Sequence, residues 1–97
     1  MKLLWSPKAI EDLVESNIFI ARENPEAARN IISEVYEARI SIKEFPEKGR
    51  IVPEVGKADI REIFCRGYRI IYQIETKKIS ILRIRHMRQK PLESEEI

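Results

Sequence analysis

The sequence predicts an α+β domain: a helical hairpin packed on one face of a four- to five-stranded sheet whose later strands form an antiparallel meander. Three observations predict it. Apolar residues recur at intervals of three and four from Ile10 to Phe45, in two runs separated by Asn24-Pro25. Residues 58–86 alternate with period two and are cut by short turns at Arg66-Gly67 and Thr76-Lys77-Lys78. A chain of 97 residues, 43% of them hydrophobic, suits a single compact domain with one modest core and leaves no room for a second domain.

Each element has a local cause. Lys2 to Trp5 is short and apolar and runs into Ser6-Pro7, a capping serine followed by a proline at the first helical position, so a strand ends at Trp5. Ile10, Leu13, Val14, Ile18 and Ala21 then predict one buried helical stripe, broadened by Phe19 and Ile20. Asn24-Pro25 repeats the cap-plus-proline device. Ala28, Ile31, Ile32, Val35, Ala38, Ile42 and Phe45 continue the helical spacing to Pro46. So short a connection forces the helices antiparallel, and Ala27-Ala28 permits close approach. Pro46, Gly49, Pro53 and Gly56 leave room for only a brief strand at 50–52.

The hairpin over 58–72 organises the remainder. Its first arm sets Ile60, Glu62 and Phe64 against Arg61, Ile63 and Cys65; its second sets Tyr68, Ile70, Tyr72 and Ile74 against Arg69, Ile71, Gln73 and Glu75. The last strand sets Ile79, Ile81, Arg83 and Arg85 against Ser80, Leu82, Ile84 and His86. Such a sheet has an apolar face under the helices and a mixed face toward water. Arg61, Arg69, Arg83 and Arg85 are expected to crowd that open face. Like charges so placed repel, and an anionic partner would relieve the cost. The competing reading of Arg69 is a cross-strand pair with Glu62 or Glu75, worth ~0.2–1 kcal/mol.

Charge is unevenly distributed. The net charge is +2, yet residues 61–90 hold nine basic and two acidic groups, while residues 91–97 hold three acidic and none basic. Residues 1–90 are expected to form the domain, and 91–97 an acidic tail, disordered or docked only in a complex. The single Cys65 excludes an internal disulfide, and no Cys or His cluster has metal-site spacing, so neither metal nor cofactor is expected. No segment approaches the ~20 apolar residues of a membrane span, and a cytoplasmic location is expected.

In this order and spacing the chain resembles the RelE/ParE superfamily of toxins from type II toxin-antitoxin pairs, some of them known as plasmid stabilisation proteins. The resemblance covers roughly residues 3–88. It is carried by Trp5-Ser6-Pro7, Asn24-Pro25 with Ala27-Ala28, Phe45-Pro46 then Gly49-Arg50, Ile60-Arg61-Glu62, Tyr68-Arg69-Ile70-Ile71-Tyr72, and Ile84 through His86 to Arg88. It implies a RelE-like two-layer fold with the first strand beside the last. It also implies a cognate antitoxin whose acidic segment folds onto the toxin, and a dimer or toxin-antitoxin hetero-oligomer.

Two activities occur among such proteins. ParE-like members bind DNA gyrase; RelE-like members are metal-independent endoribonucleases that cut messenger RNA on the ribosome. On the ribonuclease motif, Arg69 and Arg88 match phosphate-holding arginines, Arg61 lies near a lysine position, and the C-terminal catalytic tyrosine has no counterpart among Leu92, Glu93 and Ser94. Attack by a 2′-hydroxyl needs proton transfer as well as cations, and arginine supplies only the latter. His86 is the one side chain that ordinarily titrates near neutrality, so a catalytic set would be His86, Arg69 and Arg88. Arg61, Arg69, Arg83, Arg85 and Arg88 would serve phosphate or partner binding. The Ile60-Arg61-Glu62 motif, the His86 ending and the missing tyrosine place the chain nearer the ParE-like branch.

Overall fold

The computed structural model describes residues 1–97. In chain order it has β1 (Lys2–Trp5), α1 (Pro7–Glu23), α2 (Pro25–Glu44), a 3-10 turn (Pro46–Lys48), β2 (Arg50–Ile51), β3 (Ile60–Cys65), β4 (Tyr68–Ile74), β5 (Lys78–His86) and a second 3-10 turn (Ser94–Glu96). One five-stranded sheet runs β1-β5-β4-β3-β2, with β1 parallel to β5 and every other pair antiparallel. The two helices cover one face. No helix is long and apolar enough to cross a membrane.

Both helix starts follow from their caps. The Ser6 hydroxyl oxygen accepts from the Ala9 N–H at 3.0 Å while its proton goes to the Leu82 carbonyl at 2.9 Å, so one side chain caps α1 and ties it to β5. Asn24 accepts from the Ala27 N–H, and its own N–H closes α1 on the Ile20 carbonyl. A single residue therefore separates the helices. Asn17 donates to the Ala28 carbonyl at 2.7 Å, across the contact that the small alanines permit.

The inward stripe of α1 is not the expected one. Ala9 is fully buried, and Leu13 and Ile20 pack on the core, but Ile10, Val14, Ile18 and Phe19 are about half exposed or more. The Ser6–Leu82 bond and an ion pair between Asp12 and Arg83 set the roll of the helix. These tethers turn Asp12 toward β5, and the Ile10–Val14–Ile18 row outward with it. In α2, Ala28, Ile31, Val35 and Ile42 are buried as expected, whereas Ile32 faces out.

The turn between β3 and β4 has positive φ at both central residues, 51° at Arg66 and 80° at Gly67, which matches the strand twist. Between β4 and β5 the register slips: Ile71 faces Arg83 while Tyr72 faces Ile81. Leu82 is the extra residue of a bulge. The bulge corrects the alternation read from the sequence. Ile79 and Ile81 join Ile84 and His86 on the helix side, and Arg83 and Arg85 lie on the other.

The core between helices and sheet comprises Ala9, Ile31, Val35, Ile42, Tyr68, Ile70, Tyr72, Ile79, Ile81 and Ile84. The opposite face is not left to water. Val52, Ile60, Ile71 and Leu92 form a second, smaller core there, flanked by Val55, Leu82 and Ile97. The loop after β2 and the tail supply its cover. The tail is thus ordered against the sheet, because Leu92 has an apolar hollow to fill.

Candidate functional site

The mixed face holds a chain of charges. Glu62, 1% exposed, accepts from Arg50 at 2.8 Å with one carboxylate oxygen and from Arg69 at 2.5 Å with the other. Arg69 turns its two terminal nitrogens onto Glu54 at 2.7 and 2.9 Å. This fork geometry is the strong form of the pair. The bond to Glu54 and then that to Glu62 outweigh burial and hold the Arg69 guanidinium firmly charged. Its hydrogen bond to Glu54 keeps that carboxyl below its usual range.

The other arginines are dispersed. Arg83 grips both carboxylate oxygens of Asp12 at 2.7 and 3.0 Å, which raises its pKa, and gives a third bond to the Glu96 carbonyl at 2.9 Å. Asp12 also accepts the Ile84 N–H. Arg85 donates twice to the Lys90 carbonyl, at 3.0 and 2.6 Å. Arg61 pairs with Tyr72 in register, and cross-strand partners share a face, so it lies on the helix side. There it binds the carbonyls of Ala58, Glu47 and Gly49 and pins the loop around β2.

The expected crowd of unpaired guanidinium groups on one face is therefore corrected in two respects. Arg61 belongs to the other face, and Arg69 and Arg83 have carboxylates of their own. The antiparallel register separates Arg61 from Arg69, because Arg69 faces Phe64. Glu54 comes from the loop and Asp12 from α1, 71 residues before Arg83. Only the Glu62 partner is legible from strand alternation.

His86 and Arg88 meet elsewhere, at the open end of the β4–β5 ladder beneath α1. A cleft of about 510 Å³ is lined there by Glu15, Phe19, Ile20, Tyr68, His86 and Arg88, with Ser16 and Gln89. Tyr68 faces His86 in register, and the rings meet edge to face at 4.9 Å. The His86 Nδ1 accepts from the Arg88 backbone N–H at 3.1 Å, which assigns the proton of the neutral ring to Nε2. That nitrogen lies close to Gly67, where an added Cβ would stand 3.2 Å from it. The cleft thus offers one ring proton donor, one exposed cation and one carboxylate beside an apolar wall.

Arg69 does not reach this cleft, since Arg69 and Tyr68 are successive residues pointing to opposite faces. Phe19, which the helical spacing predicts in the buried stripe with Ile20, is instead an exposed wall of this cleft. Its signal is the pair Phe19-Ile20, which widens the apolar stripe past what one packing face accommodates.

The comparisons with known proteins agree with this architecture. A family model described as "ParE toxin of type II toxin-antitoxin system, parDE" matches residues 3–91. The chain is similar to Toxin RelE2 of Caulobacter vibrioides, with 30% identity over 86 residues, 88% of this chain and 93% of that protein. Among solved structures it superposes on a chain of the chromosomal ParDE TA system from P. aeruginosa with a TM-score of 0.74 at 22% identity, covering 89% of this chain and 95% of that one. At that identity the likeness is one of fold.

Proposed function

The chain belongs to the ParE toxin family of type II toxin-antitoxin systems, and on that premise we propose that it arrests growth by binding DNA gyrase and is neutralised by a cognate antitoxin in the cytoplasm. What supports a protein target over RNA cleavage is the separation of Arg69 from His86. A ribonuclease needs its phosphate-holding cation and its proton donor converging on one phosphodiester. Here the sheet stands between them, and Arg69 is already held by Glu54 and Glu62. The test is a supercoiling assay with purified gyrase. Inhibition at near-stoichiometric toxin, reversed by antitoxin, is the expected result; undiminished supercoiling overturns it.

A second reading rests on the cleft. His86 with its Nε2 proton and Arg88 with its exposed guanidinium share one hollow, and a relative carries the name Toxin RelE2. These would serve a ribosome-dependent messenger endoribonuclease as proton donor and phosphate ligand. Arg61 and Arg69 would act there only after substantial rearrangement. Mapping of messenger ends in a cell-free translation reaction decides it: discrete cuts support it, intact messenger removes it.

A further inference from the structure

We infer that the outer face of the helical hairpin is the seat of a symmetric pairing between two copies of this chain, in which α1 of each copy lies on α2 of the other. The face carries two apolar rows. Ile10, Val14 and Ile18 follow one another at four-residue intervals on α1, and Ile32, Tyr36 and Ile40 do the same on α2. Counted from the turn at Asn24, Ile18 and Ile32 lie six and eight residues away, Val14 and Tyr36 ten and twelve, Ile10 and Ile40 fourteen and sixteen. In an antiparallel hairpin each pair is therefore level to within about 3 Å, and the rows run side by side.

All six side chains are between 41% and 55% exposed. Residues of this size at that exposure present on the order of 600 Å² to water, the upper end of what an ordinary monomer leaves in one patch. Two such faces brought together bury on the order of 1,200 Å², enough for one of the smaller specific interfaces. The face is also held in place. The Ser6–Leu82 bond and the Asp12–Arg83 pair keep the α1 row turned outward. Arg39 braces Tyr36, with its guanidinium 3.8 Å from the ring centroid and bonded to the Tyr36 carbonyl.

Charge favours a copy of the chain over a partner of one sign. The ten exposed charged residues of the two helices are four basic and six acidic, so no strong field of one sign sets the copies against each other. A two-fold axis running along the hairpin, between its helices, lays α1 on the other copy's α2 in antiparallel fashion, as in a four-helix bundle. Ile10, Val14 and Ile18 of one copy then cover Ile40, Tyr36 and Ile32 of the other. Arg22 and Glu26 are each two residues from Asn24, and the same operation brings them level across the interface, twice. The hairpins are sealed between the copies while the two mixed sheet faces look outward on opposite sides. The assembly is therefore bivalent.

Sedimentation equilibrium of the full chain, alone, from about 1 to 200 µM is the test, and a dissociation constant on the order of micromolar is expected. Val14→Lys and Tyr36→Asp each place a charge in the seam, and each variant is expected to stay monomeric across that range. Mixed in equal amounts they are expected to associate at least tenfold more tightly than either does alone, because the introduced lysine meets the introduced aspartate at one contact and the other contact is unaltered. Both positions are about half exposed, and unchanged exchange protection at Ile70 and Ile71 verifies the fold. Ile10→Lys with Ile40→Asp gives the same pattern if a member of the first pair does not fold.

A monomer at every concentration overturns the proposal, as does a dimer that both single substitutions leave intact. A mixture no tighter than its components overturns the α1-on-α2 arrangement. Helix amides that gain protection only when a different protein is added assign the face to that protein and overturn the pairing of copies. None of these outcomes depends on gyrase inhibition or on messenger cleavage.

Discussion

Arg69 and Arg85 stand directly opposite one another on β4 and β5, yet their guanidinium groups leave in different directions. Arg69 is drawn to Glu54 and Glu62, and Arg85 to the Lys90 carbonyl. Two like charges in register would repel. The carboxylates on one side remove that cost and turn the face into a structural lattice whose members depend on one another.

Glu62 is the hinge of that lattice, and within it Glu62 is the member whose neutralisation does most damage. Glu62→Gln leaves Arg69 buried with one carboxylate and Arg50 with none, and we expect a loss of about 2–3 kcal/mol in urea unfolding. Glu54→Gln, at a more exposed position, is expected to cost about 1 kcal/mol. Replacing Glu62 and Arg69 together with apolar residues should recover part of the loss, because the charges then left without partners, Glu54 and Arg50, are the more exposed ones.

Acid weakens the protein through Glu54. The Glu54 carboxyl is held below its ordinary value of 4.5 in the folded chain by Arg69. A depressed folded pKa gives stability that is full above the unfolded value and is lost as pH falls through the folded one. Urea midpoints measured from roughly pH 7 to pH 3 should therefore fall below about pH 4.5. The difference between the unsubstituted chain and Glu54→Gln should shrink over that interval.

Gly49 is required for space, not for backbone freedom. Its φ is −69°, open to any residue, but an added Cβ would lie 2.8 Å from the Glu62 carbonyl and closer still to the Tyr72 hydroxyl. Gly49→Ala should cost about 2 kcal/mol. Tyr72 donates to the Pro46 carbonyl at 2.6 Å and accepts from the Gly49 N–H at 3.2 Å. Tyr72→Phe strips both groups of their partner and should cost about 1–2 kcal/mol.

Asp12 joins α1 to the edge of β5. Asp12→Ala leaves Arg83 without its carboxylate and the Ile84 N–H without an acceptor, for an expected loss of about 3 kcal/mol. A local readout separates this from general weakening: the Ile84 amide should lose exchange protection before those of β3 and β4.

Legibility in the sequence follows the range of the interactions. The helix starts, the single-residue connection at Asn24 and the turn at Arg66-Gly67 arise from neighbours in the chain, and cap chemistry with period counting finds them. The Glu62–Arg69 pair is legible for the same reason. The roll of α1 is not, because Ile10, Val14 and Ile18 are as apolar as Ala9, Leu13 and Ile20. The choice between the two rows is made by Ser6 and Asp12 binding β5. The bulge at Leu82 leaves no composition signal either, yet it reverses the side to which half of β5 points. The burial of Leu92 depends on a hollow formed by three segments. A polar, aperiodic tail conceals its one anchor.

The pairing of β1 with β5 has a consequence for synthesis. Trp5 lies beside Ile81, and Ser6 bonds to Leu82, 76 residues later. At about 5–20 residues per second, a ribosome places on the order of 4–15 seconds between the two. Throughout that interval β1 has no neighbouring strand and the start of α1 has no anchor. A nascent chain, or one cut short before β5, is therefore an unfinished protein, and the sheet closes only once β5 has been made.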